Sequence, residues 1–252
     1  MKPLESATVT VDGLQCSYLT GGAGAPLVLL HGWGQSARMW ENILPSLANH
    51  FSVYALNLPG FGRSAPPSSA WNTDMYAKFV HDFVVELNLE NVSVIGHSFG
   101  GRVAYAYAGE YPTKYLVLYS ASAPGANSVR RYVCYVTLAM KRIAPRLLWH
   151  LHTTLFKSKM YKNEVLLSKP EIRTMLDVYL TTHRIIHAQQ PAPLCPMILV
   201  YGTHDRLVPL RAAIYYTQRK PDADLIVISG AGHFAHIEKT KEFLTAIKRL
   251  LC

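Results

Sequence analysis

Short apolar runs bounded by turn residues alternate along this chain with longer stretches of helical period, and few folds accept that rhythm. Pro26–Leu30, Ser52–Leu56, Val92–Ile95, Tyr115–Tyr119, Met197–Tyr201 and Leu225–Ile228 read as buried strands. Helical patterns at Ser36–Leu47, Asp74–Leu87, from Ser98 onward, at Pro209–Arg219 and at Lys239–Leu250 fall between and after them. Such alternation predicts a mostly parallel sheet with helices on both faces. Right-handed crossovers leave few ways to thread it. Two more strands, Thr8–Val11 and Gln15–Leu19, come first, and Asp12-Gly13 between them is a hairpin signal.

The rhythm stops at Pro124 and resumes after Gln190. No strand pattern is evident between them, only two or three helical stretches. The expected organisation is therefore an α/β core from residues 1–123 and 191–252, with a helical cap inserted at 124–190. A chain of 252 residues, half of them hydrophobic, is long enough to bury such a core. The N-terminus has no apolar signal-peptide segment, and no run of about 18 apolar residues would cross a membrane. Cys16, Cys134, Cys195 and Cys252 have neither C-x-x-C nor zinc-site spacing. Free thiols and a cytoplasmic location are expected.

Ser98 stands between the strand at Val92–Ile95 and the helix that follows, in Gly96-His97-Ser98-Phe99-Gly100. A serine crowded by glycines at such a junction implies a turn too tight for neighbouring Cβ atoms. Its hydroxyl is then held out over the sheet edge. Ligands bind at that edge in open α/β sheets. A serine hydroxyl is a weak nucleophile and needs a base and an orienting acid. Asp205 falls just past the strand ending at Tyr201, and His233 just past the one ending at Ile228. The order Ser98, Asp205, His233 places all three on one edge. His233 is the expected base and Asp205 its partner. His97, His204 and His236 are rivals for the base; His97 should point away from Ser98, and the other two fit surface or packing positions. Asp222 and Asp224 lie at the opposite end of the sheet.

An oxyanion needs donors fixed in advance. The backbone N–H of Phe99 is one candidate. The N–H of Trp33, in His31-Gly32-Trp33-Gly34 after the third strand, is the other. His31, Trp33, Phe99 and Phe234 are candidate pocket-lining residues. No metal or organic cofactor is expected.

With these stretches in view, the chain resembles the α/β-hydrolase fold family. The matching segments are LVLLHGWGQSARMW, ALNLPGFGRS, VSVIGHSFGGRVA, ILVYGTHDRLVP and ISGAGHFAHIE. The resemblance implies an eight-stranded, mostly parallel sheet with a cap after the sixth strand, and the triad and oxyanion roles named above. One position departs: Asn57 stands where the family usually has an aspartate before its PGFG turn. A serine nucleophile also argues against the dehalogenase and epoxide-hydrolase branches, which look for an aspartate there.

The net charge of +9 is unevenly placed. Residues 124–190 carry eleven Lys or Arg against three Asp or Glu, so nearly all the excess falls on the cap. Solvated helix faces account for many such runs. Recruitment of an acidic partner is the sharper reading, and a carrier protein, an anionic membrane surface or an anionic substrate would each serve. No motif for nucleic acid accompanies the charge. HGWG, LPGFGRS and YGTHDRLVP are also similar to the pimeloyl-carrier-protein methyl ester esterases of biotin synthesis, whose basic caps dock an acidic carrier. The expectation is a carboxylic ester hydrolase. Thioester, lactone or carbon–carbon bond cleavage, and a ligand receptor that retains the triad, are the alternatives.

Overall fold

A computed structural model describes residues 3–123, 143–147, 150, 169–184 and 190–248. Eight strands form one sheet: β1 (Glu5–Val11), β2 (Leu14–Gly21), β3 (Ala25–Leu30), β4 (Phe51–Leu56), β5 (Ser93–His97), β6 (Leu116–Tyr119), β7 (Met197–Gly202) and β8 (Asp224–Ile228). Their spatial order is β1-β2-β4-β3-β5-β6-β7-β8. The β1–β2 and β2–β4 pairs are antiparallel and every later pair is parallel. Asp12 and Gly13 both take positive φ in the first hairpin, as the Asp-Gly pair predicts.

Side chains alternate across a strand, so a doubly covered sheet must be apolar at both parities. In β3, Val28 and Leu30 enter one core and Leu27 and Leu29 the other. The first core lies under α2 (Thr73–Glu86), α3 (Phe99–Glu110) and α4 (Lys169–Arg184). The second lies under α1 (Leu44–Ala48) and α7 (Thr240–Ile247). Two short helices, α5 (Ala213–Thr217) and α6 (Ala235–Glu238), follow β7 and β8.

Two helix expectations need correction. Ser36–Leu47 is not one helix but a 3₁₀ turn, Ala37–Trp40, followed by α1 with Pro45 in its first turn. Proline has no N–H to continue a preceding helix, so the chain restarts there. Pro209–Arg219 likewise divides into a 3₁₀ turn, Leu210–Ala212, and α5. Most of 124–190 lies outside the described residues, including seven of its eleven basic residues; among the rest, Arg146 and Arg173 are exposed. Within it, α4 buries Ile172, Met175, Leu176, Tyr179 and Leu180, the i, i+3, i+4 stripe of an amphipathic helix, against the first core. Cys16 and Cys195 are buried free thiols, and burial pushes Cys16 up to about 12. Cys134 and Cys252 lie outside the described residues. No helix among the described residues is long and apolar enough to cross a membrane.

Candidate active site

Ser98 joins β5 to α3 with φ 54° and ψ −108°, a conformation that costs a non-glycine residue about 1–3 kcal/mol. The glycines explain how the chain tolerates it. A Cβ on Gly96 would stand 2.4 Å from the Gly100 carbonyl oxygen, and one on Gly100 would stand 2.4 Å from that of Leu30. The crossing of β5, α3 and the end of β3 therefore excludes side chains at both positions. Gly100→Ala should destabilise the fold by more than about 3 kcal/mol, because both neighbours are backbone and cannot yield. Gly13→Ala meets nothing within 4 Å and should cost about 1 kcal/mol for its positive φ alone. Urea denaturation of the two variants checks the contrast.

The carboxyl edge of the sheet gathers the other expected groups. His233 Nδ1 donates to Asp205 Oδ2 at 2.8 Å. The second carboxylate oxygen of Asp205 accepts the N–H groups of Leu207 and Val208 at 2.9 and 2.8 Å. Burial alone would raise the Asp205 pKa. The hydrogen bond and charge of His233, the Val208 amide and the nearby Ser120 hydroxyl outweigh it and hold the carboxyl below its usual range. Ser98 is 5% exposed. With Nδ1 committed to the acid, Nε2 is the atom of His233 left to exchange a proton.

Trp33 and Phe99 do meet: their rings lie 5.5 Å apart, edge to face. Phe61 and Tyr179 pack on the same indole, each at 5.1 Å. A Cβ on Gly32 would stand 2.9 Å from His97 Nδ1 and 3.3 Å from Ser98 Cβ, so glycine lets this loop approach the serine. Phe234 is half-buried, with its ring 5.2 Å from that of His233. His31, expected to line the pocket, is fully enclosed. Its Nδ1–H donates to the Gly32 carbonyl at 2.8 Å, and its Nε2 accepts the Leu58 N–H at 3.0 Å. Both ring nitrogens therefore tie two loops together, and neither is left for a ligand. Burial lowers its pKa to about 4.

The rival bases also separate. His236 is fully buried, donating from Nε2 to the Met39 carbonyl at 2.9 Å, and burial lowers it to about 4. His97 is fully buried and far below its usual pKa, through burial first and then the charges of His233 and His236. His204 is exposed. Asp222 precedes β8 and Asp224 begins it; both are exposed, at the far end. Asn57 fits its neighbours as an amide. Its Oδ1 accepts the Ala37 N–H at 2.7 Å, and its Nδ2 donates to Ser17 Oγ at 2.8 Å.

Sequence reasoning missed several groups. Ser120, at the end of β6, takes φ 43° beside the acid. Glu238 accepts the Gly232 and Phe234 N–H groups at 2.6 and 3.2 Å, one on each side of His233. Met175 and Tyr179 of α4 reach the loops at Gly60 and Trp33. The position of Ser120 just after a strand was a readable signal; the reach of α4 was not. Among the described residues, no three His, Cys, Asp or Glu side chains converge as a metal site.

The carboxyl edge of this mostly parallel sheet thus carries a serine on a strained strand-to-helix turn and a histidine bonded to a buried aspartate. The chain belongs to the alpha/beta hydrolase family, whose pattern it matches over residues 27–246. It is 28% identical to the pimeloyl-[acyl-carrier protein] methyl ester esterase of Proteus mirabilis, over 86% of this chain and 88% of that one. It is 43% identical to the soluble epoxide hydrolase of Corynebacterium sp. (strain C12), but over only 39% of this chain and 34% of that protein. Its fold superposes on a serine hydrolase involved in carbazole degradation with a TM-score of 0.76, at 24% identity and 99% coverage of both chains.

Proposed function

We propose that this hydrolase cleaves a carboxylic ester through a covalent acyl-enzyme on Ser98. The observation that carries the reading is the 2.8 Å bond from His233 to buried Asp205, at the same sheet edge as the strained Ser98. In the proposed cycle, Ser98 Oγ attacks the ester carbonyl while His233 Nε2 takes its proton. The developing oxyanion accepts from the Trp33 and Phe99 amides. Collapse expels the alcohol, which leaves with the proton from His233. Water, deprotonated by His233, then attacks the acyl group, and Ser98 leaves with that proton. Asp205 fixes the imidazole tautomer and stabilises its cationic form. A hydrolysis panel of p-nitrophenyl esters from two to twelve acyl carbons tests the reaction class, with lactone and thioester substrates beside it. Ester turnover with a chain-length optimum is expected; turnover of only the lactone or thioester would replace the ester reading.

The finer reading is a methyl ester borne by an acidic carrier protein. Similarity to the Proteus mirabilis esterase and the eleven-to-three excess of basic residues at 124–190 support it. An acyl-carrier methyl ester should then be hydrolysed with a higher kcat/KM than the free methyl ester. The advantage should shrink from 50 to 500 mM salt as exposed charges are screened. An equal kcat/KM for the two substrates at low salt would refute the carrier.

A further inference from the structure

We infer that Tyr119 and His97 are positioning residues for His233, acting through its backbone carbonyl; this rests on the reading of His233 as the base. That carbonyl oxygen accepts from His97 Nε2–H at 3.0 Å and lies 2.9 Å from the Tyr119 hydroxyl, whose one proton it shares with His236 Nδ1 at 3.1 Å. Both donors are fully buried. They face each other as partners in the β5–β6 ladder, with ring centroids 4.6 Å apart. The two central strands thus present a matched pair of donors to a loop from the far side of the sheet.

The placement has a consequence for the chemistry. His97 is the residue before Ser98, so the nucleophile's own strand grips the base's main chain. Asp205 fixes the His233 ring at Nδ1, and the two donors fix the peptide from which that ring projects. With both ends held, Nε2 has little freedom left. A misplacement of about 1 Å in such a site can cost two orders of magnitude in rate. Simple core filling explains the bulk of both rings. It does not explain two buried donors converging on one carbonyl.

Tyr119→Phe keeps the ring packed against Phe243 but removes an oxygen that also pairs with His236 Nδ1 and N–H, so the His97 variants, which leave His236 its partners, are the sharper test. His97→Gln offers an N–H near the reach of Nε2, whereas His97→Leu offers none. The readout is labelling of Ser98 by a fluorophosphonate probe, which needs the serine and its base but not the natural substrate. The maximal labelling rate of Tyr119→Phe and of His97→Leu should fall about tenfold, with the half-saturating probe concentration within about twofold. His97→Gln should recover most of the loss. In an Asp205→Asn background, Tyr119→Phe should cost little, because the ring is no longer held for the carbonyl to aim. Labelling within twofold of wild type for both Tyr119→Phe and His97→Leu would overturn the inference. So would an undiminished penalty in the Asp205→Asn background. Should Tyr119→Phe not fold, the two His97 variants decide alone. Labelling that survives in Ser98→Ala would instead sink the triad reading itself, which separates the two failures.

Discussion

Ser98→Ala should lower ester turnover by at least about 10⁴-fold while leaving the thermal unfolding curve nearly unchanged. Alanine retains the Cβ, so the strain at φ 54° and the close contacts of Gly96 and Gly100 stay as they are. Only the nucleophilic oxygen is lost. The residual rate would come from binding and from the amides of Trp33 and Phe99 acting on attack by water. Asp205→Asn should lose about as much, for a different reason. An amide at the acid position favours the wrong imidazole tautomer and cannot stabilise the cation. Loss of kcat in both variants with KM largely kept is the signature of groups that act in the transition state rather than in binding. Near-native turnover in Ser98→Ala would remove the basis of the proposal.

The protein should also be unusually sensitive to mild acid. His31 and His236 are held neutral by burial, with pKa values near 4 against 6.5 for the free side chain. In the unfolded chain each takes up a proton as pH falls through 6.5; in the folded protein neither does so until about 4. Their contribution is therefore fully present above 6.5, declines between 6.5 and 4, and changes little below. At pH 5 each loses about 2 kcal/mol. His97 is shifted in the same direction and adds to the loss. Asp205, whose carboxyl is held low, adds a loss only below its unfolded value of 3.8. Urea denaturation followed by tryptophan fluorescence should give a stability at pH 5 at least about 4 kcal/mol below that at pH 7. A difference under about 1 kcal/mol would mean that these rings are not buried as neutral groups.

The same three histidines mark where the sequence stops being legible. Strand positions and the Ser98, Asp205, His233 order follow from local pattern, since an apolar run of five or six residues ending in glycine and polar residues has few other readings. Gly96 and Gly100 likewise declare a close approach. A histidine declares nothing by itself. His31, His97, His233 and His236 all stand next to motifs. Only the partners brought in from distant segments — Leu58, Met39, Asp205 — separate structural rings from the one bonded to the acid. Tyr119 was invisible for the same reason, because its hydroxyl meets His233 and His236 of another element; Glu238 instead bonds the turn just ahead of its own helix. Asn57 read as a lost charge in the sequence and is an amide matched to Ala37 and Ser17 in the fold. The break in Ser36–Leu47 was readable at Pro45, but the helical period of Met39, Trp40, Ile43 and Leu47 outweighed it. Those four side chains are buried on one side all the same.

Peptide mass mapping of the enzyme, acid-quenched while turning over a p-nitrophenyl ester, tests the covalent acyl-serine most directly. An acyl adduct is expected on the peptide carrying Ser98 and is absent from Ser98→Ala. An adduct on a carboxylate, or turnover that passes through no adduct at Ser98, would contradict it.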